Sequence, residues 1–382
     1  VSSLEKAGVT TKFWVPSQCF GCPHPALVDE AAALAASAGV DAVVGVGPGG
    51  VLDLAKATAA MAPLVRESYA TWRKEVPDEG FVPLTARFLL GNDAEQRGST
   101  LLPSASLALL LAPTTAAAAA TSGRCLLRPG LRLEALGQLA VAGPGPYGVG
   151  VGLQAVEVVA DAAVVQQQSP RGTAAAMAHA LSIFVDSAAA SGGTIKEQQL
   201  LDDMMVGAGS TFSALRHPHS AAVDALEAAL AAGVAASDAD ANARGGLSVT
   251  HALASILAGT RPNVPFTQAC RVLLPQVLRA WAVEAEEGNE AAAVSAMALL
   301  AEAMLGPASP AKALERLAEW VDEACSRAGL PAQLELDGAE CAETAARLLA
   351  FNAAQAPVTM HRPAPSWINE PDRLTEIFRA VV

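Results

Sequence analysis

The chain has 382 residues, of which 52% are hydrophobic and 16% are charged. This composition excludes wholesale disorder, and the length predicts two domains rather than one small core. The formal net charge of −13 argues against a nucleic-acid partner and against an anionic membrane surface. No apolar run reaches the roughly 20 residues that cross a bilayer, so we expect no transmembrane segment.

The cysteines and the first residue bear on the compartment. The six cysteines are scattered apart from Cys19 and Cys22, which favours a reducing compartment over a disulfide framework. The chain begins at Val1 rather than at a methionine. Removal of a tag or cleavage of a targeting peptide would both give this beginning, and the second would place the protein in a mitochondrion or plastid. We expect an intracellular protein whose organelle the sequence does not identify.

Helices and strands alternate in the first part of the chain. In chain order the predicted elements are a helix end at Leu4–Val9, a strand at Lys12–Val15, a helix at Pro25–Ala38, and strands at Ala42–Val46, Leu107–Ala112 and Val156–Val165. Gly130–Gly152 is rich in Gly and Pro and predicts a hairpin or an insertion. After Pro170 alanine- and leucine-rich helical patterns follow. We therefore predict a parallel-sheet α/β domain over residues 1–170 and an all-helical domain over residues 171–382.

The segment Asp41–Lys56, DAVVGVGPGGVLDLAK, predicts a strand, a glycine turn and a helix start in one piece. Gly47, Gly49 and Gly50 allow a ligand to approach the backbone, and the helix dipole favours a phosphate there. The spacing differs from the common dinucleotide fingerprint GxGxxG. The alternative interpretation is a tight strand–helix turn that binds no ligand.

This segment closely resembles the GGGSxxDxAK motif of the iron-containing alcohol dehydrogenases, which share their fold with glycerol dehydrogenase and dehydroquinate synthase. Pro48 replaces a glycine and Gly50 replaces the serine, whereas Asp53 and Lys56 match the motif. The resemblance implies a Rossmann-like N-terminal domain and a helical C-terminal domain. It also implies a cofactor site at the glycine turn with Asp53 and Lys56. The alternative is that Asp53 caps or pairs near the helix start and that Lys56 is a solvated partner at helical spacing.

The family's second cofactor loop is only partly matched. Pro113–Thr114–Thr115 matches the family's PTT sequence, so the resemblance places Thr114 and Thr115 at the cofactor. The following AGTGSE-like loop is replaced by alanines and a threonine over 116–121, which removes hydroxyl groups and glycine N–H access. We therefore expect no bound cofactor, with NAD(P) as the alternative.

Two later segments resemble those that carry the metal ligands of the family: TAAAMAHALSIF (Thr173–Phe184) and THALASILAGTRPNVPFTQACRVLLP (Thr250–Pro275). Family members of this kind hold one Fe²⁺ or Zn²⁺ with an Asp and three His. By this resemblance His251 matches one ligand and the last ligand falls on Phe266. A further histidine, which serves proton relay in the family, falls on Ser255.

His179 aligns with the first ligand pair in two registers. In one, His179 takes the His position and Ala175 the Asp position. In the other, His179 takes the Asp position, Ile183 the His position, and Asp186 that of the Glu that closes the motif. Neither register keeps the pair, so His179 and His251 are at most two of four ligands. A divalent catalytic ion usually takes three protein ligands, so iron and zinc are not expected, and any residual site would be weak.

The alternative for His179 and His251 is that both are leftover histidines satisfied by hydrogen bonds on the helix side.

A further departure from the family pattern concerns the start of the chain. The family normally has one more strand–helix unit before the region that matches Leu4–Val15, so the sequence is either a fragment or has a reduced cofactor domain.

These observations favour a degenerate dehydrogenase that has lost metal-dependent catalysis and serves as a structural or accessory subunit, in a homo-oligomer or a larger complex. The first alternative is an active NAD(P)-dependent oxidoreductase for a small alcohol, aldehyde or keto acid, similar to an alcohol dehydrogenase or a maleylacetate reductase. In it His179 and His251 would polarise or protonate the substrate carbonyl. The second alternative is a sensor that binds the nucleotide without chemistry.

Overall fold

A computed structural model places most of the chain in helices. The residues that it describes are 2–16, 23–72, 107–116, 125–127, 139–141, 157–191, 195–243, 249–260, 264–288, 292–334, 346–347, 350 and 366–382. The strands are β1 (Ala42–Gly47), β2 (Ala108–Pro113), β3 (Cys125–Leu127), β4 (Leu139–Val141) and β5 (Glu157–Val158). The helices of the first part are α1 (Ser2–Lys6), α2 (Pro25–Ala38) and α3 (Gly49–Trp72).

Helices continue through the rest of the chain. In order they are α4 (Ala162–Val165), α5 (Pro170–Ser191), α6 (Ile195–Arg216), α7 (Ala222–Ala243), α8 (Val249–Thr260), α9 (Phe266–Glu286), α10 (Ala292–Leu305), α11 (Pro310–Arg327), a 3₁₀ turn at Ser366–Asn369 and α12 (Pro371–Val381). A parallel-sheet, Rossmann-like N-terminal part followed by a helical C-terminal part is the fold class that the sequence predicts, and it is confirmed.

The parallel sheet has the order β1-β2-β5. Its register pairs Ala42 with Ala108 and Gly47 with Pro113, and β5 adds Glu157 beside Leu110. Because parallel strands place their carboxyl ends at one edge of a sheet, the turn after β1 and the loop after β2 leave from neighbouring positions. This register brings the two halves of the predicted cofactor site together.

Helix α3 packs closely on the sheet because of small residues. A Cβ atom added at Gly45 would lie 2.6 Å from the Cβ of Ala55 and 3.1 Å from a methyl group of Leu111. Glycine in the strand and alanine in the helix therefore permit a strand–helix distance that larger side chains would prevent. On its other side α3 packs against α2.

Both ends of α2 are capped, and its bounds agree with the predicted helix Pro25–Ala38. The Nδ1 atom of His24 accepts a hydrogen bond from the backbone N–H of Ala26 at 3.1 Å, and Pro25 occupies the first helical position. Gly39 ends the helix with φ of +65°, a left-handed conformation that glycine adopts without strain.

Helix α5 lies at the centre of the helical part and positions the site described below. It packs against α6, α7, α9 and α10, and α8 lies against both α5 and α9. Its buried face is made mainly of alanine, including Ala176, Ala180 and Ala188. Such small side chains let several helices approach α5 closely, and they leave room for the few large polar side chains on the same face.

One predicted strand is wrong, and another is confirmed only near its beginning. Lys12–Val15 has no regular secondary structure. Within Val156–Val165, only Glu157–Val158 is a strand, and Ala162–Val165 is a short helix. Asp161 starts this helix, because its carboxylate accepts a hydrogen bond from the Ala163 N–H at 2.8 Å.

Much of Gly130–Gly152 lies outside the described residues, but β4 falls within it and pairs antiparallel with β3, as a hairpin requires. The domain boundary near residue 170 stays a prediction.

Within the described ranges, no single helix is both long and apolar enough to cross a membrane. Helices α10 and α11 meet the length and composition requirement together, across a bend of 56°.

Candidate metal and cofactor sites

The predicted cofactor residues meet at the carboxyl edge of the sheet. The backbone N–H of Thr114 donates to the carbonyl oxygen of Gly47 at 3.1 Å, so the glycine turn and the PTT loop are directly joined. Helix α3 begins at Gly49, within the glycine turn, and the Pro48 carbonyl accepts a hydrogen bond from the N–H of Val51 at 2.8 Å. The first N–H groups of a helix have no partner within it and can bind an anion.

The glycine turn also has a structural reason for its first glycine. A Cβ atom at Gly47 would lie 2.7 Å from the Cβ of Val51, closer than packed side chains allow. Glycine is therefore required here by the approach of the first helical turn, whether or not a nucleotide binds. The turn keeps a geometry suited to phosphate, but Gly47 by itself does not indicate a ligand.

Asp53 and Lys56 form an ion pair of 2.8 Å on successive turns of α3. Their side chains are 9% and 0% exposed, so the interpretation of Lys56 as a solvated partner is wrong. A lysine ammonium without contact to water requires a carboxylate close by, and Asp53 supplies it. The two charges compensate each other within the packed helix and present no net charge to a ligand.

The two candidate metal residues lie face to face in the helical part. His179 on α5 and His251 on α8 are both buried, and their ring centroids are 5.3 Å apart. Phe266, the first residue of α9, packs edge-on against His179 at 5.4 Å and lies 5.8 Å from His251. The structure thus brings together three of the four positions that the resemblance assigns to metal ligands, with an aromatic ring at one of them.

Cys270 completes this cluster and is absent from the sequence-based prediction. It lies on α9 one turn after Phe266 and is fully buried. A nitrogen of His179, a nitrogen of His251 and the sulfur of Cys270 all lie within 4.8 Å of one another. Residues four apart share a helix face, so the spacing from Phe266 to Cys270 is the signal in the sequence that could have included it.

Asp186 positions the ring of His251. One of its carboxylate oxygens lies 2.8 Å from Nδ1 of His251, and the other accepts a hydrogen bond from the hydroxyl of Thr250 at 2.9 Å. Asp186 follows His179 by seven residues on α5, which places both side chains on one face of the helix. In the tautomer with the proton on Nδ1, this proton faces the carboxylate and Nε2 carries the lone pair of the ring.

His179 has a different environment. Burial and the neighbouring His251 lower the pKa of His179 to about 3, so its ring is neutral at physiological pH. Its buried Nδ1 has no hydrogen-bond partner among the described residues. The interpretation of both histidines as satisfied by hydrogen bonds on the helix side is therefore wrong for this atom of His179.

Comparisons with known proteins agree with this architecture. The sequence model of the family described as iron-containing alcohol dehydrogenase matches residues 1–126. The resemblance to that family is confirmed. No curated protein matches the chain.

Solved structures share the fold over nearly the whole chain. The archaeal halo-thermophilic Red Sea brine pool alcohol dehydrogenase ADH/D1 is 17% identical with a TM-score of 0.71, covering 99% of this chain and 86% of that one. The alcohol dehydrogenase of Oenococcus oeni is 18% identical with a TM-score of 0.71, covering 100% and 86%. NADH-dependent butanol dehydrogenase A of Thermotoga maritima is 17% identical with a TM-score of 0.71, covering 100% and 86%.

The residues at this site do not reproduce the Asp and three His that the family resemblance implies. Ala175 and Ile183, the alternatives beside His179, carry no donor atom, and Phe266 carries none at the last position. Asp186 is held by His251 and Thr250. The backbone of Ser255 lies on α8, and its side chain is outside the described residues, as are Cys19 and Cys22. The donors that do meet are two imidazoles and a thiol, a softer set than the family's.

Proposed function

We propose that this protein is a non-catalytic member of the iron-containing alcohol dehydrogenase family that serves as a structural or accessory subunit of a homo-oligomer or larger complex. The observation that carries the proposal is the position of Phe266. Its ring lies 5.4 Å from His179 and 5.8 Å from His251, where the resemblance places the third histidine. A phenyl ring offers a metal no lone pair, so the ligand that the resemblance places at this position is missing.

The family chemistry explains why this replacement matters. The resemblance implies that hydride transfer between a nicotinamide and a small alcohol or aldehyde uses a metal ion in this family, as the Lewis acid that polarises the carbonyl or stabilises the alkoxide. With Ala175 or Ile183 beside His179 and with Phe266 in the last position, the hard ligand set for iron is not present. Asp186 cannot replace the missing carboxylate without giving up His251 and Thr250.

Steady-state kinetics test the loss of catalysis. The full chain is assayed with NADH and NADPH, with added Fe²⁺ or Zn²⁺, against small alcohols, aldehydes and keto acids, beside an active family member assayed in parallel. We expect no turnover above the protein-free rate. Turnover comparable to that of the active member would contradict the proposal.

The subunit role needs a separate measurement. Light scattering coupled to size-exclusion chromatography, and the native mass of the protein in its source extract, report whether it occurs in an assembly. We expect an assembly larger than one chain. A monomer in both experiments would contradict the subunit role and leave the kinetic result unaffected.

The joined turn and PTT loop favour a second candidate, an NAD(P)-dependent oxidoreductase that does not use iron. Contact between Thr114 and Gly47 keeps the glycine turn and the PTT loop together, and Asp186 holds the ring of His251 in place for a role in proton transfer. Titration with NADH and NADPH, followed by nicotinamide fluorescence, tests it. Binding with turnover that His251→Ala abolishes would favour this enzyme, binding without turnover would favour a sensor, and no binding would exclude both.

A further inference from the structure

We infer that His179, His251 and Cys270 form a zinc site in which a cysteine thiolate replaces the carboxylate and third histidine of the family's ligand set. This inference goes beyond the proposed function, because metal binding at these residues holds whether or not the protein catalyses a reaction. It rests on the donor atoms that three helices, α5, α8 and α9, bring to one point.

The distances suit one small ion. The three donor atoms lie within 4.8 Å of one another. Around tetrahedral zinc, with Zn–N of about 2.0–2.1 Å and Zn–S of about 2.3 Å, ligand atoms lie about 3.5 Å apart. The donor atoms are therefore separated by up to about an ångström more than in a closed zinc site, and side-chain rotation would bring them onto the ion. Three protein ligands leave one tetrahedral position for water or a small anion.

The unpaired nitrogen of His179 points to the same conclusion. A buried ring nitrogen without a partner costs about 1–3 kcal/mol of stability, and native structures rarely keep one without a reason. Nδ1 of His179 is such an atom among the described residues. Coordination of a metal ion by Nδ1 would supply its missing partner, at a ring that contacts those of His251 and Phe266.

Asp186 provides the support that metal-bound histidines usually have. A histidine ligand commonly donates its second ring N–H to a carboxylate, which fixes the tautomer and strengthens the metal bond. Asp186 stands 2.8 Å from Nδ1 of His251 and is itself held by Thr250 at 2.9 Å. With Nδ1 facing Asp186, Nε2 is the atom of His251 that would bind a metal.

The donor chemistry selects zinc over iron. Thiolate and imidazole are the ligands of zinc sites, whereas carboxylate-containing sets suit Fe²⁺. When Zn²⁺ binds, Cys270 loses its proton to solvent and forms the Zn–S bond, so the thiolate supplies the negative charge that the absent carboxylate would have given. Binding should therefore release a proton.

Cobalt substitution tests the site by a readout independent of activity. The metal-stripped full chain is titrated with Zn²⁺ by calorimetry and with Co²⁺ by absorption spectroscopy. We expect one ion per chain, a thiolate-to-cobalt charge-transfer band in the near ultraviolet and the intense visible bands of tetrahedral cobalt. Absence of the thiolate band, or no zinc binding, would overturn the inference.

Variants assign the ligands. We expect Cys270→Ala to abolish the charge-transfer band and to lower zinc affinity by about 100-fold or more, and His179→Ala to lower the affinity comparably. Cys325→Ala, at another buried cysteine, is the matched control and should bind zinc like the parent. If Cys270→Ala does not fold, Cys270→Ser replaces it. Loss of the band in a Cys19→Ala/Cys22→Ala double variant, with the band retained in Cys270→Ala or Cys270→Ser, would overturn the assignment.

Discussion

A carboxylate oxygen of Asp186 lies 2.8 Å from Nδ1 of His251, and both side chains are buried. This contact joins α5 to α8 through polar groups in a region otherwise built of alanine, leucine and aromatic side chains. Thr250 adds a second polar connection between the same helices through its hydroxyl. A buried polar group is tolerated only when its hydrogen bonds are satisfied, so these three residues form one unit.

Asp186→Asn should weaken both stability and metal binding, because the amide keeps the size of the side chain but removes its charge. We expect a loss of about 2 kcal/mol in the free energy of unfolding, as for a buried hydrogen bond to a charged group. Zinc affinity should fall about 10–100-fold. Denaturant unfolding of the metal-free protein and zinc calorimetry measure the two effects.

Thr250→Val is the graded control for Asp186→Asn. It removes one hydrogen bond to the carboxylate and leaves the contact with His251, so we expect about half the loss of stability or less. Equal effects of the two substitutions, or a zinc affinity unchanged by Asp186→Asn, would contradict the role of Asp186 in positioning His251.

Gly45→Ala should destabilise the sheet–helix packing by about 1–3 kcal/mol, the usual cost of overpacking. The added Cβ would lie 2.6 Å from Ala55 on α3, and neither backbone can move without disturbing β1 and β2. Gly209→Ala is the matched control, because Gly209 is exposed within α6 and its added Cβ meets nothing within 4 Å. Alanine there should stabilise the helix by about 0.5–1 kcal/mol. Thermal or denaturant unfolding measures both effects. If the two substitutions changed the free energy of unfolding in the same direction, this description of the packing would be contradicted.

Local patterns were sufficient to predict much of the fold. Pro25 with Gly39 fixed the ends of α2, and the valine run before Gly47 predicted β1, because capping and hydrophobic runs act within a few residues. The prediction of a strand over Val156–Val165 was wrong after Val158, because an apolar run does not distinguish a strand from a helix. Asp161 caps a short helix in this run instead.

The candidate site was predictable only in part, since it depends on contacts between helices. The resemblance brought His179, His251 and Phe266 to one place. It could not show that Cys270 reaches the same point or that the second oxygen of Asp186 is taken by Thr250, because both depend on how α5, α8 and α9 are rotated against each other. The burial of Lys56 was hidden because it depends on how α3 packs against the sheet and α2.

Asp322→Asn should be strongly destabilising for a partly exposed residue. Asp322 forms the ion pair of the fully buried Arg271 at 3.3 Å, and two other nitrogens of that guanidinium have no partner among the described residues. Loss of the carboxylate leaves a buried positive charge uncompensated. We expect a loss of about 2–3 kcal/mol, below the 3–5 kcal/mol of a fully buried pair, because Asp322 is 29% exposed.

The neighbouring Glu323 supplies the control for Asp322. Its carboxylate pairs with Arg327 at 3.3 Å on the surface of α11, with a side chain 67% exposed. Glu323→Gln should change the free energy of unfolding by no more than about 0.5 kcal/mol. Urea unfolding of both variants gives the comparison, and a similar small effect for the two would show that Arg271 does not depend on Asp322.

Cys325 should make stability fall at alkaline pH. Burial, with a smaller contribution from Asp322 against the opposing effect of Arg271, raises the pKa of its thiol from 9.0 to about 11. Between these values the unfolded chain loses a proton that the folded chain keeps, so the folded state loses stability as pH rises through this window and has its full contribution below pH 9. The total change is about 3 kcal/mol. Cys325→Ala leaves a cavity, and the resulting loss of stability is similar at every pH. The variant lacks the thiol, so its stability does not fall through this titration. The difference in the free energy of unfolding between parent and variant should therefore narrow from pH 8.5 to pH 11. Unfolding curves at several pH values measure that difference, and a constant value across the window would show that the thiol does not titrate as its burial requires.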